Sequence, residues 1–170
     1  MAILKIARLG HPVLLARAAP VEDPTSPEIA RLVTDMAETM LDASGLGLAA
    51  PQVHVPLRLF VFRQGTEDAP TVAALINPDL VPLDDETETG WEGCLSIPGL
   101  RGAVPRARRI GFRALDLQGR RVEGEADGLT ARVFQHETDH LDGIVYPMRM
   151  PDLSRLGFVE ELNRFGAASR

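Results

Sequence analysis

The spacing of apolar residues predicts a first helix from about Ser26 to Ser44. Thr25 and Ser26 offer capping side chains, Pro27 suits the first turn, and Gly45 ends the segment. An apolar stripe at helical spacing comprises Ile29, Leu32, Val33, Met36 and Met40. We expect this stripe to pack on the hydrophobic core, so the helix serves the fold rather than a site.

Shorter runs of β-branched, aliphatic and aromatic residues predict strands. These runs cover residues 57–62, 72–76, 110–117 and 121–126. The last two are expected to pair as a β-hairpin across Gln118 and Gly119. A polar loop is predicted at Gln64–Pro70, and the acidic run Asp84–Glu88 predicts a solvated turn.

Two further helices are predicted in the C-terminal half of the chain. Leu129, Val133, His136 and His140 recur at helical spacing, and Gly143 suits a C-terminal stop. A last helix is expected from about Asp152 to Phe165, with inward positions at Leu153, Leu156, Val159 and Leu162. The sequence has no repeats or linkers, so we expect one α+β domain over residues 1–170. In it the helix bearing the two histidines packs against antiparallel or mixed β-sheets, between an N-terminal and a C-terminal helix.

Composition narrows the possible partners and compartment. The 170 residues are 45% hydrophobic and 25% charged, with a net charge of −6, so neither nucleic acid nor an anionic membrane is expected as a main partner. Lys5 and Arg8 interrupt the first apolar run, which argues against a signal peptide or a membrane span there. The single cysteine, Cys94, cannot form an internal disulfide and fits a reducing cytoplasm.

The motif His136-Glu137-Thr138-Asp139-His140 carries the clearest chemistry. Side chains four apart on a helix share one face, so both imidazoles can bind one metal ion. Glu137 then sits where it can take a proton from a water on that metal. In the longer zinc-protease signature a third histidine follows, but Tyr146 stands at that position. A catalytic site needs three protein ligands, and the candidates for the third are His11, His54, Cys94 and the acidic residues.

Two other stretches are informative. In Glu92–Ser96, Cys94 offers a thiolate, and Gly93 permits close approach to a ligand and exposes the Leu95 amide. In the stretch GLGLAAPQ, Gln52 is a neutral amide that can donate a hydrogen bond to a carbonyl oxygen. His11 and His54 each lie near a proline and are interpreted as turn or loop residues.

Taken together, the stretches GLGLAAPQ, EGCLS and QHETDH resemble the peptide deformylase family in order and separation. The resemblance implies that Cys94, His136 and His140 bind one metal ion and leave one position for water. The metal would be Fe(II) in the cell, with zinc, nickel or cobalt able to replace it. The expected catalytic residues are Glu137 as general base and acid, and Gln52 and the Leu95 amide as donors to the formyl oxygen.

The resemblance also implies a substrate and its contacts. The expected reaction removes formate from the N-terminal formyl-methionine of nascent polypeptides in the cytoplasm, with a transient ribosome contact in some bacterial members. Residues expected to bind the substrate or brace the site are Leu46, Gly47, Glu92, Arg101, Leu129 and Val133.

Two features depart from the family pattern. Arg132 stands at a position usually apolar in the family, where its charge would repel a metal ion unless it points to solvent or meets an acid. A related protein with altered N-acyl preference or low activity is therefore an alternative hypothesis. Glu160 and Glu161 offset Arg155 and Arg164 in the last helix, which weakens the case for ribosome docking. The histidine motif is also compatible with a zinc endopeptidase or with a purely structural metal site.

Overall fold

The computed structural model describes residues 2–66 and 69–165. Its helices are α1 (Pro27–Asp42), α2 (Gly128–Leu141) and α3 (Val159–Phe165). Its strands are β1 (Gly47–Ala49), β2 (Leu59–Thr66), β3 (Ala69–Pro82), β4 (Thr87–Cys94), β5 (Ile97–Ala107), β6 (Arg109–Leu115), β7 (Arg121–Asp127) and β8 (Leu156–Phe158). The predicted α+β class is confirmed.

The strands form two antiparallel sheets. One has five strands in the order β1-β2-β3-β6-β7, and the other has three in the order β4-β5-β8. The predicted hairpin is present as β6 and β7, which pair from Arg109–Asp127 to Leu115–Arg121. Both sheets pair only neighbouring antiparallel strands, so the mixed arrangement left open by the sequence does not occur among the described strands.

Strand β2 explains how two helices share one sheet. Leu59 and Val61 belong to a core cluster with the buried face of α1, whereas Phe60 and Phe62 belong to a second cluster with Phe134 of α2. Successive residues of a strand point to opposite faces, so α1 and α2 pack on opposite sides of β2. The uninterrupted apolar run in this strand reflects burial on both faces.

Helix boundaries follow the predicted signals closely. Ser26 caps α1 by accepting a hydrogen bond from the Ile29 amide, and Pro27 fills the first helical position. Gly143 follows α2 with a φ of 75°, and a Cβ there would lie 2.8 Å from the backbone of Leu15. Glycine is therefore required at that stop for both conformation and space.

Two predicted connections are wrong. The polar loop at Gln64–Pro70 is largely strand, because Gln64, Gly65 and Thr66 of β2 pair with Thr71, Pro70 and Ala69 of β3; residues 67 and 68 lie outside the described part. The acidic turn is shorter than predicted, since β4 begins at Thr87 and includes Glu88.

The segment from Asp152 is not one helix. Leu153–Arg155 form a short 3-10 turn, Leu156–Phe158 form β8 on the edge of β5, and only Val159–Phe165 are helical. Gly157 lies inside the predicted helix, and a Cβ there would come within 3.0 Å of Leu162. The pairing with β5 therefore outweighs the helical spacing of the leucines.

Within the described ranges, no helix is both long enough and apolar enough to cross a membrane.

Candidate metal centre and active site

Cys94 lies at the end of β4, directly before a two-residue turn. The turn residues are Leu95 and Ser96, and Cys94 pairs with Ile97 at the start of β5. A tight hairpin of this kind fixes the backbone on both sides of the cysteine. The half-buried thiol is thereby held at one end of the three-stranded sheet.

His136 and His140 lie one turn apart on α2, as the motif predicts. Their side chains and Cys94 bring three potential ligand atoms within 4.8 Å of one another. The Cys94 Sγ lies 3.2 Å from His140 Nε2, and the two imidazole rings meet edge to face with centroids 5.1 Å apart. Of the candidates that the sequence left open for the third ligand, the structure brings Cys94 to the histidines.

The other two histidines form a separate pair. His11 and His54 are exposed, and their rings meet edge to face at 4.7 Å. His11 accepts a hydrogen bond from the Val13 amide at the start of a 3-10 turn. Their interpretation as turn and loop residues is confirmed. Tyr146 stacks near His136, with ring centroids 6.2 Å apart, and takes no ligand position.

Glu137 points towards β1 and is 4% exposed. A side chain at Gly47 would overlap its carboxylate, which explains why this position of β1 is glycine. The Oε2 atom of Glu137 is buried without a hydrogen-bond partner in the described structure. A buried carboxylate oxygen normally has a partner, so this atom has capacity for a water or a reactant.

Gln52 is oriented by its own backbone environment. Its Oε1 accepts a hydrogen bond from the Ala49 amide at 2.8 Å. Its Nε2 lies 3.2 Å from the Ser96 hydroxyl and 3.5 Å from Cys94 Sγ. Because the oxygen is engaged by an amide, the donor end of the side chain must face the cysteine. Ser96 is a member of this arrangement that sequence reasoning missed.

Glu92 lines the cavity described below, but its carboxylate hydrogen-bonds His136 on the Nδ1 side of the ring. It is 5% exposed, and its Oε2 lies 2.9 Å from His136 Nδ1. Arg106 binds both carboxylate oxygens at 2.9 Å. Since a carboxylate flanked by a guanidinium accepts hydrogen bonds, His136 donates from Nδ1 and leaves Nε2 free as a ligand.

Several bracing residues carried no clear signal in the sequence. Arg106 also contacts Asp139 at 2.5 Å, and Arg149 binds the same carboxylate at 2.7 Å. Gln135 fastens α2 to β5 by accepting from the Ala107 amide and donating to its carbonyl. The position of Asp139 between the histidines was the available clue, because a buried acid on a helix requires a partner.

Arg132 meets an acid, which resolves the conflict expected from its charge. Its Nη1 donates to Glu92 Oε1 at 2.9 Å and to the Val104 carbonyl at 2.8 Å, and its Nη2 donates to the Glu88 carbonyl at 2.6 Å. The side chain is only 13% exposed. The guanidinium is therefore a fixed part of the site rather than a solvent-facing charge.

The buried charges shift several pKa values. Burial opposes ionisation of Glu92, but hydrogen bonds from Arg106 and His136 lower its pKa to about 2. Burial raises the pKa of Glu137 to about 7. Burial and the nearby positive charge lower the pKa of His140 well below its usual range, so this ring is neutral. The acid beside His136 is therefore ionised, while Glu137 can hold or release a proton near neutral pH.

The pKa of His136 is raised, whereas that of His140 is lowered. Burial disfavours its charged form, but interactions with Cys94 and Glu92 raise its pKa to about 10. In the absence of a metal ion, His136 therefore keeps a second ring proton, on Nε2, besides the one that Nδ1 donates to Glu92. A cation bound at the same place would have to displace that proton.

A cavity of about 500 Å³ opens beside the cluster. Cys94, His136, Glu92 and Arg132 line it, but His140 does not. The lining also includes the predicted substrate residues and Leu95, namely Leu46, Gly47, Leu95, Arg101, Leu129 and Val133. Leu129 is 64% exposed and Leu46 is 46% exposed, so apolar surface faces this space. A larger and more open groove of about 1040 Å³ crosses the five-stranded sheet, but none of the three clustered ligand residues lines it.

The donor set suits a transition-metal ion. One thiolate and two imidazoles, with one ring fixed by a carboxylate, are typical ligands for zinc or iron. The partnerless Glu137 oxygen lies beside this set, and the cavity gives access to it. Fold and site together fit the class of metal-dependent hydrolases, in which three potential ligands lie beside an acid whose pKa is near neutral.

Comparison with known proteins narrows this class to one family. The polypeptide deformylase family model matches residues 3–156. Peptide deformylase 1 of Bordetella pertussis is 52% identical over 163 residues, which cover 92% of this chain and 93% of that protein. Peptide deformylase 2 of Ralstonia nicotianae is 48% identical and covers 94% of each chain. The chain belongs to the polypeptide deformylase family and is a metal-dependent enzyme of that type.

Solved structures agree with this assignment. The peptide deformylase of Thermotoga maritima matches with a TM-score of 0.82 at 39% identity, covering 89% of this chain and 100% of that one. A class I type b peptide deformylase from Acinetobacter baumannii, solved with Met-Ala-Ser bound, matches with a TM-score of 0.81 at 37% identity, covering 88% and 99%. None of these findings favours an altered N-acyl substrate or an endopeptidase.

Proposed function

We propose that this enzyme removes the formyl group from the N-terminal formyl-methionine of newly made polypeptides. The main support for this proposal is that Cys94, His136 and His140 converge beside the Glu137 oxygen that has no hydrogen-bond partner. A bound divalent cation would supply Lewis acidity, activating a water and polarising the formyl carbonyl. The chain's own residues must then orient the formyl group and move one proton.

Glu137 is the proposed general base and acid. It would take a proton from the attacking water and deliver it to the departing amine, so that formate and a free N-terminus result. A pKa of about 7 suits a group that must both accept and donate a proton near neutral pH. Gly47 leaves the carboxylate room beside β1.

Gln52 and the Leu95 amide are the proposed donors to the formyl oxygen. The contact of Gln52 with the Ala49 amide turns its Nε2 towards the cysteine side of the cavity. Leu95 follows Cys94 and lines the same cavity. Donors held in place before the reaction stabilise the developing negative charge without reorganising, which accounts for a large share of rate acceleration in such sites.

The methionine side chain and the peptide have separate proposed contacts. Leu46, Leu129 and Val133 offer an apolar wall for the methionine, and their exposed surface would be covered by it. Gly47 and Arg101 would contact the peptide backbone. The Met-Ala-Ser complex of the Acinetobacter baumannii relative supports a peptide of this kind as the ligand. Glu92 is proposed to brace His136 instead of binding the peptide, because its carboxylate is already occupied.

For the metal, we infer Fe(II) in the cell, with zinc, nickel or cobalt able to take its place in purified protein. The thiolate and imidazole donors accept all of these ions. The free Cys94 thiol supports a cytoplasmic location, where thiols stay reduced. A transient ribosome contact is the least supported element, since Glu160 and Glu161 make the first turn of α3 acidic.

The decisive test is formate release from formyl-Met-Ala-Ser by protein prepared without oxygen, with metal content measured on the same sample. We expect stoichiometric formate and Met-Ala-Ser, and no reaction with acetyl-Met-Ala-Ser. Glu137→Ala should retain metal and lose turnover. Metal-loaded protein that releases no formate would overturn the proposal. Cleavage of unformylated casein would favour the endopeptidase instead.

A further inference from the structure

Arg132 contacts the carboxylate that orients a candidate metal ligand. Glu92 receives four hydrogen bonds, with Arg106 Nε and Arg132 Nη1 on Oε1, and Arg106 Nη2 and His136 Nδ1 on Oε2. A carboxylate has about four lone-pair positions. All of them are used, so the direction in which Glu92 presents Oε2 to His136 depends on every donor.

The guanidinium of Arg132 is itself held by the backbone of both strands beneath it. It donates to the Glu88 carbonyl on β4 and the Val104 carbonyl on β5. Glu88 lies two residues before Gly90 on β4, and Val104 is the residue of β5 that pairs with Gly90. Arg132 therefore ties α2 both to β4, the strand that ends in Cys94, and to its neighbour β5.

Gly90 creates the space that this contact requires. A Cβ at position 90 would lie 2.8 Å from Arg132 Cζ and 2.9 Å from Nη2. No positive φ forces glycine at this position. Glycine at 90 is thus explained by the guanidinium packed against it, and the two residues form a reciprocal pair.

We propose that Arg132, seated on Gly90, is a positioning residue that acts through Glu92 to hold His136 in register with Cys94. The same side chain lines the cavity beside Leu129 and Val133. Arg132 therefore links the wall of the cavity to the geometry of the metal ligands. This inference rests on the proposed metal centre but does not require that the substrate be a formyl peptide.

The test measures how tightly the site holds metal, independently of turnover. Protein loaded with nickel(II) is mixed with excess chelator, and the rate of metal release is followed for wild type and Arg132→Met. Partners that orient metal-bound histidines typically contribute 10- to 100-fold to affinity or activity. Arg132 reaches His136 only through Glu92. We therefore expect metal release to be about tenfold faster in Arg132→Met, at the lower end of that range.

Gly90→Ala gives a second and smaller perturbation. The added methyl group should push the guanidinium off Glu92 and speed metal release in the same direction. In the Arg132→Met background it should have no further effect, because the contact is already lost. If Arg132→Met does not fold, Gly90→Ala alone decides the question.

Arg113→Met is the matched control. Arg113 lies on the β6–β7 hairpin with its side chain 80% exposed, and its replacement should leave metal release unchanged. Release rates equal to wild type in both Arg132→Met and Gly90→Ala would overturn the proposal, as would additive effects in the double variant. Wild-type protein that binds nickel firmly but releases no formate would refute the proposed function and leave this test intact.

Discussion

Replacing Glu137 by glutamine should stabilise the metal-free protein while removing its activity. The Glu137 carboxyl extends from α2 and is buried against Gly47 of β1, and this burial raises its pKa from 4.5 to about 7. Ionising it in the folded state therefore costs about 3 kcal/mol relative to the unfolded chain. Glutamine has a similar shape and carries no charge, so Glu137→Gln avoids this cost.

The sign of the pH dependence follows from the raised pKa. Between pH 4.5 and 7 the unfolded chain releases a proton that the folded protein keeps. The free energy of unfolding attributable to Glu137 therefore falls as the pH rises, and above pH 7 the loss is complete. The stability advantage of Glu137→Gln should be small at pH 5 and should grow by about 2 to 3 kcal/mol by pH 8.

Urea denaturation of metal-free, fully reduced protein at several pH values provides the measurement. Glu86→Gln is a suitable control, because Glu86 is exposed and its replacement should give a curve parallel to wild type. With metal restored, Glu137→Gln should lose about 100- to 10,000-fold in formate release. If the free energy of unfolding changed with pH in the same way for Glu137→Gln and wild type, the raised pKa of Glu137 would be refuted.

Three other substitutions test neighbouring parts of the site. Glu92→Gln would place an amide donor either against Arg106 and Arg132 or against Arg106 and His136. Chelator competition should show metal affinity reduced about 10- to 100-fold, and unchanged affinity would contradict the bracing role. The methyl group added by Gly47→Ala would overlap the Glu137 carboxylate, so kcat should fall about 100-fold at full metal content. An unchanged kcat would show that the carboxylate works from another position. Gln52→Leu removes a donor to the formyl oxygen and should lower kcat by about 100- to 1,000-fold; a change confined to KM would remove Gln52 from that role.

The sequence predicted elements well where local signals decide the structure. Helix α1 has a serine cap, a proline at its first position and a regular apolar stripe, and its observed bounds differ from the prediction by two residues or fewer at each end. The β6–β7 hairpin is closed by Asp116–Arg120, a connection that includes the predicted turn residues Gln118 and Gly119. In these segments the chain's own spacing and capping already agree with the tertiary packing.

Elements that depend on distant partners were not predicted. β5 contains Pro98 and Pro105, which interrupt any strand pattern in the sequence. Neither proline lies in Leu100–Gly102, the part of β5 that pairs with β8. β8 lies inside the helical pattern of Leu153, Leu156, Val159 and Leu162, and is a strand because β5 offers it an edge to pair with. Such an outcome cannot be read from a local window of sequence.

The same distinction applies to the candidate site, where local motifs identified some residues and not others. Cys94, His136 and His140 converge as the motifs predicted. The braces Arg106 and Arg149 were missed. Arg106 is buried and Arg149 is half exposed, and each is explained only by acids that other elements bring to it.

The three potential ligands belong to different layers of the fold. Cys94 ends a strand of the smaller sheet, and both histidines lie on α2, which packs on the larger sheet. A bound ion would therefore act as a cross-link between two halves of the molecule, in addition to serving chemistry. Resistance to heat should then depend on the concentration of free metal, since binding to the native state alone adds stability by mass action. Metal limitation in the cell would lower the survival of the protein together with its catalytic output.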